Sequence, residues 1–309
     1  MFKIAFIGTN EGNGHIFSWS AIINGDYDRK LMEQCGYPVI PGYLNKQPKE
    51  NLGISGARVT HVWTENPDYA RRVASTTYIE HVVDRPEDVI GKVDGVVITT
   101  DIGETHLPLA RPFIESGLPV FVDKPLADNE SDLRAFCRYV QEGRPVASSS
   151  CLRYAHEITE LPRKEIGRIE FVNCIMAKSW ERYGVHAMEG VYAIIGGGIE
   201  SVFNIGVKGC DVVLVEYKSG QMAVLDVVYH SQIFGRYDIF GEQKTVTVEA
   251  TDYFHMFKSQ LVAVVKFLTT RKHTFPFSET VEIIKTVIAG IKSRNEKRKI
   301  HLKEIHVED

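Results

Sequence analysis

Two stretches of this chain could do chemistry. Asp123-Lys124-Pro125 follows the apolar run Leu118-Pro119-Val120-Phe121-Val122. If that run is a strand of a parallel sheet, the lysine sits at its carboxyl end, where such sheets bind ligands, and the proline stiffens the turn that presents it. The second stretch is Gly8-Thr9-Asn10-Glu11-Gly12-Asn13-Gly14-His15, at the end of another apolar run. A glycine-rich turn entering a helix lets backbone amides approach a pyrophosphate at the positive end of the helix dipole. Against the spacing G-x-G-x-x-G, Asn10 and Asn13 occupy the second and third glycine positions, and Gly12 and Gly14 are displaced. Asparagine tolerates positive φ better than most residues, so a turn is still expected. The plainer alternative is a tight turn that binds nothing. A dinucleotide fold also carries an acid at the end of its second strand, on the adenine ribose. Here that position falls on Thr64, with Glu65 beside it. Glu65 could reach a ribose hydroxyl and would repel a 2′-phosphate, which favours NAD over NADP as the cofactor.

The elements that must position these residues alternate strand and helix. Residues 3–8 read as a strand and 14–24 as a helix, followed by a strand at 59–64 and a helix at 67–75. A short strand at 78–81, a short helix at 86–90, strands near 96 and 120, a helix at 130–142 and a strand at 146–150 complete the series. This rhythm is that of a doubly wound parallel sheet, a Rossmann-type domain over 1–125 with a closing strand to about 150. Residues 27–56, with Pro38, Pro41, Gly42, Pro48 and Gly53, read as a long loop, a lid edge or interface segment. From 151 to 290 the pattern changes to strands at 169–176, 212–217, 222–229, 236–240 and 244–249, several joined by hairpin signals. Helices at 185–195, 254–268 and 278–293 accompany them. The expectation is an α+β domain with a large open, mostly antiparallel sheet, and a C-terminal segment over 291–309.

Hydrophobic and charged contents of 44% and 25% are ordinary for a globular protein, and a net charge of −4 gives no bulk attraction to nucleic acid or anionic membranes. The five cysteines are scattered, without Cys-x-x-Cys spacing, which argues against a disulfide framework or a zinc site and fits a reducing, cytoplasmic compartment. No apolar run approaches the roughly 20 residues of a membrane span, and the N-terminus lacks a signal-peptide layout. A small-molecule substrate is expected, with no nucleic acid, membrane or metal partner.

Taken together, the chain resembles the Gfo/Idh/MocA oxidoreductases, the glucose–fructose oxidoreductase and inositol dehydrogenase group. The resemblance rests on Asp123-Lys124-Pro125 (usually Glu-Lys-Pro there), on Asp94-Gly95-Val96-Val97-Ile98 leading to His106, on Arg153-Tyr154, and on Tyr183-Gly184-Val185-His186-Ala187-Met188-Glu189. It implies a Rossmann domain plus an α/β domain whose open sheet serves for assembly as a homodimer or homotetramer. It implies NAD(P)-dependent oxidation or reduction of a hydroxyl or carbonyl on a sugar, cyclitol or related polyhydroxy compound. Lys124 and His186 then become the catalytic pair: histidine titrates near neutral pH and can take the hydroxyl proton, and the ammonium can stabilise the developing alkoxide. Gly8, Thr9, Asn10, Gly12, Asn13, Gly14, His15, Thr64, Glu65, Thr99, Thr100, Asp101, His106, Asp123 and Lys124 fall on the cofactor side. Arg153, Tyr154, Trp180, Arg182 and Tyr183 fall on the substrate side.

Three features depart from the family's pattern: the glycine turn, Asp101 in place of a proline or small polar residue, and Arg182 in place of an acid four residues before His186. Glu181, beside Arg182, is a candidate to stand in for that acid. Without it the site is more cationic and suits a carboxylated substrate such as an aldonic or uronic acid. Other readings of the same fold are a non-catalytic dinucleotide- or sugar-binding regulator and an NAD-dependent glycoside hydrolase or lyase.

Overall fold

The computed structural model describes residues 1–307, in two compact units. The first comprises Met1–Asp123, Arg138–Ser148 and Phe257–Thr274; the second comprises Lys124–Cys137, Ser149–Met256 and the described residues from Phe275 onward.

Along the chain run β1 Phe2–Ile7, α1 His15–Asn24, α2 Arg29–Glu33, α3 Val39–Leu44, β2 Ala57–Trp63, α4 Pro67–Thr77, β3 His81–Val82, β4 Gly95–Ile98, α5 Gly103–Glu115, β5 Val120–Val122, α6 Glu130–Gln141 and β6 Val146–Ala147. The six strands form one sheet in the order β3-β2-β1-β4-β5-β6. Every pairing is parallel, as the alternating strand–helix reading requires. Ile4 to Ile7 of β1 and all of β4 are buried, because a parallel strand covered on both faces must be apolar throughout. The strand order reverses between β1 and β4, and their carboxyl ends therefore open the crevice in which such sheets hold ligands.

Two expectations for this unit need correction. Residues 27–56 are no plain loop: they contain α2, α3 and a 3-10 turn at Lys49–Asn51. The prolines that suggested loop start α3 instead. Pro38 is its N-cap and Pro41 lies in its first turn, where a missing N–H costs nothing. The short strand expected at 78–81 is His81–Val82, because Tyr78 (φ 53°) closes α4 in the left-handed conformation.

The rest of the chain gives α7 His156–Thr159, α8 Arg163–Ile166, β7 Ile169–Ala177, α9 Trp180–Ile195, β8 Ile199–Asn204, β9 Cys210–Tyr217, β10 Met222–Val228, β11 Phe234–Gly241, β12 Thr245–Glu249, α10 Tyr253–Thr270, α11 Phe277–Glu296 and β13 Ile300–His301. Its seven strands are ordered β12-β11-β7-β10-β9-β8-β13. All pairings are antiparallel except β7 with β10. The hairpins β9–β10 and β11–β12 match the turn signals, but β10 and β11 are not neighbours: β7 runs between them. β8 escaped the sequence reading because its pairing shifts register between Ile199 and Ser201, a bulge that breaks the alternation of period two. Helices α9 and α11 cover one face of the sheet.

Helix α9 begins at Trp180 rather than at residue 185. Gly184 lies inside the helix and admits the Trp180 ring: a Cβ there would stand 2.8 Å from the indole. Gly190 and Gly290 serve the same end, since a Cβ would stand 2.0 Å from the Tyr237 hydroxyl and 2.5 Å from Trp180 Nε1 respectively. Glycine in a helix interior costs about 1 kcal/mol against alanine, so these three positions exchange propensity for close packing. Among the described residues no helix is long and apolar enough to cross a membrane.

Candidate functional site

In the first unit the site is the turn between β1 and α1. The chain turns at Gly8 (φ 89°) and Gly12 (φ 81°), both left-handed, as such a turn requires. Gly8 is fixed by space as well: a Cβ there would stand 2.9 Å from Thr100 Cγ2. Asn10 Nδ2 donates to Asp101 Oδ1 at 2.7 Å, and the Asp101 amide donates to Asn10 Oδ1 at 2.8 Å. Asn13 Nδ2 donates to Thr99 O and to Asp123 Oδ2, both at 3.1 Å, and Asn13 Oδ1 accepts the His15 amide at 2.9 Å. The Thr99 hydroxyl donates to Gly8 O at 2.6 Å. The two asparagines that replace glycines are thus bonded to the two acids at the ends of β4 and β5. Side-chain amides tie the turn to the ends of both strands.

His15 Nδ1 lies 2.6 Å from Asp123 Oδ2, and its ring stacks on Trp19 at 4.4 Å between centroids. Asp123 is fully buried (0% exposed). Glu65 Oε2 accepts the Thr9 amide at 3.2 Å, so it is Glu65 that reaches the turn. Thr64 points inward, its hydroxyl donating to Asn66 O at 2.7 Å, which removes it from the cofactor-facing set. His106 is buried with Nε2 2.8 Å from Thr100 O, and Thr100 Oγ1 lies 3.0 Å from Thr105 Oγ1; both shape the end of β4. Gly14 admits the segment once read as loop: a Cβ there would stand 2.6 Å from Ile40 Cδ1 and 2.8 Å from the Tyr37 ring. His61 is pushed down to about 4 by burial and by neighbouring His81, and is uncharged at neutral pH.

The turn fits a dinucleotide. Its glycines are left-handed, the Thr9 amide already donates to a carboxylate oxygen as it would to a phosphate oxygen, and Gly14, the N-cap of α1, has no side chain to cap the helix.

In the second unit a different cluster forms. Lys124 is 2% exposed and joined to Pro125 by a cis peptide bond. Its Nζ lies 5.3 Å from the centroid of the Tyr183 ring, and Lys178 Nζ lies 4.6 Å from the same centroid. His186, also 2% exposed, meets the Tyr183 ring edge-on at 4.8 Å and the Phe234 ring at 5.0 Å. The sequence-derived pair Lys124 and His186 therefore converges on one tyrosine. The longer α9 puts His186 in the helix's second turn, buried, rather than at an exposed cap. His186 Nδ1 lies 2.6 Å from Ser150 Oγ.

Other expected substrate residues are placed differently. Trp180 is core: its Nε1 donates to Val287 O at 2.8 Å. Arg153 is held between Glu189 at 2.5 Å and Glu279 at 2.6 Å, with Phe275 under its guanidinium, which makes it a structural ion pair. Burial pushes the Glu189 carboxyl above its usual range, and Arg153 opposes that push. Glu181 does not stand in for the missing acid, because it is bonded to Arg294 at 2.5 Å, which also holds Asp211 at 2.7 Å. Tyr154 and Arg182 are half-buried, at the end of the 3-10 turn Cys151–Tyr154 and in the first turn of α9. Sequence reasoning missed Ser150, Lys178 and Phe234. Only Ser150 carried a local signal, as the last of three serines before Cys151-Leu152-Arg153-Tyr154.

A buried ammonium and an imidazole on one aromatic ring can polarise a hydroxyl and take its proton. The anion-binding turn of the first unit can hold a dinucleotide. The fold and the two clusters define a nucleotide-binding doubly wound unit followed by a mixed-sheet α/β unit. A family model described as an oxidoreductase family with an NAD-binding Rossmann fold, Gfo/Idh/MocA, matches residues 34–149. Over those residues the chain is similar to the Gfo/Idh/MocA family. Inositol 2-dehydrogenase 1 of Saccharopolyspora erythraea is 33% identical over 132 residues, which is 40% of this chain and 39% of that protein. The chain thus matches about two-fifths of the length of that relative. In fold, a probable dehydrogenase from Thermotoga maritima superposes with a TM-score of 0.77 at 16% identity, covering 99% of this chain and 100% of that one. Scyllo-inositol dehydrogenase from Lactobacillus casei, with bound NAD(H) and scyllo-inositol, gives 0.71 at 13% identity, covering 98% and 99%.

The mutual bonding of Asn10 and Asp101 gives a direct test. Asn10→Ala and Asp101→Ala should each lower stability by about 1–3 kcal/mol in urea unfolding. The double variant should lose at least about 0.5 kcal/mol less than the sum. Strict additivity would show that the pair does not act together.

Proposed function

We propose that this chain is an NAD-dependent dehydrogenase acting on a secondary hydroxyl of a cyclitol or related polyhydroxy compound, with reduction of the matching ketone as the reverse reaction. The observation that carries the reading is the meeting of Lys124 and His186 on the Tyr183 ring. The dinucleotide, when bound, supplies the hydride acceptor. The chain's own residues manage the proton: His186 takes it from the hydroxyl oxygen, Lys124 stabilises the charge that develops on that oxygen, and Tyr183 with Phe234 walls the base with aromatic surface. Asn10, Asn13, His15 and Asp123 keep the phosphate turn in shape, and Glu65 reads the adenine ribose.

The two lysines on Tyr183, with Arg182 in the same helical turn, favour a second reading of the substrate: one that carries a carboxylate beside its hydroxyl. The outer face of the second sheet also calls for cover. Phe171, Phe240 and Met222 form a cross-strand row, and Val224 and Leu214 form the next, with Met222 42% exposed. Exposed apolar patches of this kind mark interaction sites, and a second copy of the chain is the occupant that offers a matching flat face.

Lys124→Ala should reduce turnover at least about 100-fold, while NADH still binds with near-native affinity in a fluorescence titration. The assay should use myo-inositol and an aldonate in parallel. Turnover close to wild type in the variant would remove Lys124 from the chemistry, and a preference for myo-inositol would remove the carboxylate reading. Wild type should bind NADH more tightly than NADPH, and Glu65→Gln should narrow that difference about tenfold; an unchanged ratio would show that Glu65 does not read the ribose. Light scattering should give a dimer or tetramer, shifted towards monomer by Val224→Glu. A monomeric wild type at micromolar concentration would contradict assembly through the sheet.

A further inference from the structure

We propose that Ser150 is the positioning residue of the proton-transfer step, the group that orients the His186 imidazole. This rests on the reading of His186 as the base. Ser150 Oγ lies 2.6 Å from His186 Nδ1, with the serine 0% and the histidine 2% exposed. A ring nitrogen has one in-plane site, either a lone pair or an N–H, so Ser150 occupies Nδ1 and Nε2 is the nitrogen that exchanges a proton.

Ser150 is itself held from two sides. Its amide donates to Glu189 Oε1 at 3.1 Å, and its Oγ accepts the Leu152 amide at 3.2 Å as the cap of the 3-10 turn. Glu189 lies three residues after His186 on α9 and is locked by Arg153, which also holds Glu279. The serine and the imidazole are therefore fixed to the same helix by one hydrogen-bonded frame. Arg153, placed on the substrate side by the family resemblance, supports this frame through its pair with Glu189.

The choice of serine has a chemical consequence. A carboxylate on Nδ1 can only accept, so it fixes an Nδ1–H and stabilises the imidazolium. A hydroxyl donates or accepts by rotating. It donates to Nδ1 while Nε2 carries the proton, and accepts from Nδ1–H once Nε2 has given it up or the ring is charged. The balance is simple: the substrate O–H breaks, an Nε2–H forms, and no charge moves onto the serine. Ionisable groups near the ring include Tyr183 on the same helix, Lys124 and Lys178 on the Tyr183 ring, and Glu189 behind Ser150. The serine adds no charge to this set, whereas a carboxylate would.

The test combines turnover with nitrogen-15 NMR of the His186 ring in the full-length protein. Ser150→Ala should lower kcat about 10- to 100-fold, leave the NADH dissociation constant unchanged, and move both the tautomer ratio and the titration midpoint of His186. Ser150→Thr, which keeps the hydroxyl, should restore both. Ser150→Cys, close in volume and poor at hydrogen bonding, replaces the alanine variant if that one does not fold. An unchanged His186 tautomer and midpoint in the variants overturns the proposal, whatever the turnover. An altered ring with wild-type kcat also overturns it, by leaving Ser150 a purely structural role. An altered ring in a protein whose wild type turns over no polyol would uphold the Ser150 bond and refute the dehydrogenase reading instead.

Discussion

A carboxylate with no solvent exposure must be satisfied inside the protein, and Asp123 at the end of β5 is such a group. Its partners are Asn13 and His15, one turn residue and the first residue of α1. The need to satisfy Asp123 therefore fixes how the chain enters the helix. A glycine at residue 13 could not supply the amide that bonds both Thr99 O and Asp123. The same logic holds for Asn10 and Asp101. Each departure from the glycine-rich pattern has a matching departure at a strand end, 91 residues away in one case and 110 in the other. The irregular turn is a coupled solution to the same geometric problem rather than a degraded one.

The second unit shows the same economy of buried polar groups. Glu189, Arg153 and Glu279 form a largely buried ion triad with Glu279 at its open side, and Glu181, Arg294 and Asp211 form another, open at Glu181. Such arrays add little net stability compared with apolar packing, but breaking one partner strands a buried charge, so they fix geometry. One triad pins the first turn of α9 and the other fixes the strand-end serine that touches His186. Between them, Gly184, Gly190 and Gly290 let Trp180 and Tyr237 close on the helices. His186 stands on a helix held at its first turn through Glu181 and again three residues beyond His186 through Glu189.

Much of this was legible in the residues. The doubly wound order follows from strand–helix alternation, and the Asp123-Lys124-Pro125 turn is where a strand-end ligand site should be. What sequence reading got wrong came from local rules overridden by distant contacts. Pro38 and Pro41 read as loop but start a helix, because a first-turn proline loses no hydrogen bond. The sequence places the start of α9 at residue 185, because nothing local says that Gly184 makes room inside the helix for the Trp180 ring. The bulge in β8 hid a strand, and nothing local says that β7 will part β10 from β11. The family resemblance put Arg153 and Trp180 on the substrate side. In the fold their partners are Glu189, Glu279 and Val287, which lie 36, 126 and 107 residues away.

The central claim is that Lys124 and His186 act on one hydroxyl while the asparagine-rich turn holds the dinucleotide. A crystal structure with NADH and a polyol bound tests it most directly. The account predicts Lys124 Nζ and His186 Nε2 both within hydrogen-bonding distance of the same substrate oxygen, and the pyrophosphate on the amides of residues 9–15. A structure with the polyol contacting neither side chain, or with the pyrophosphate away from that turn, would contradict it.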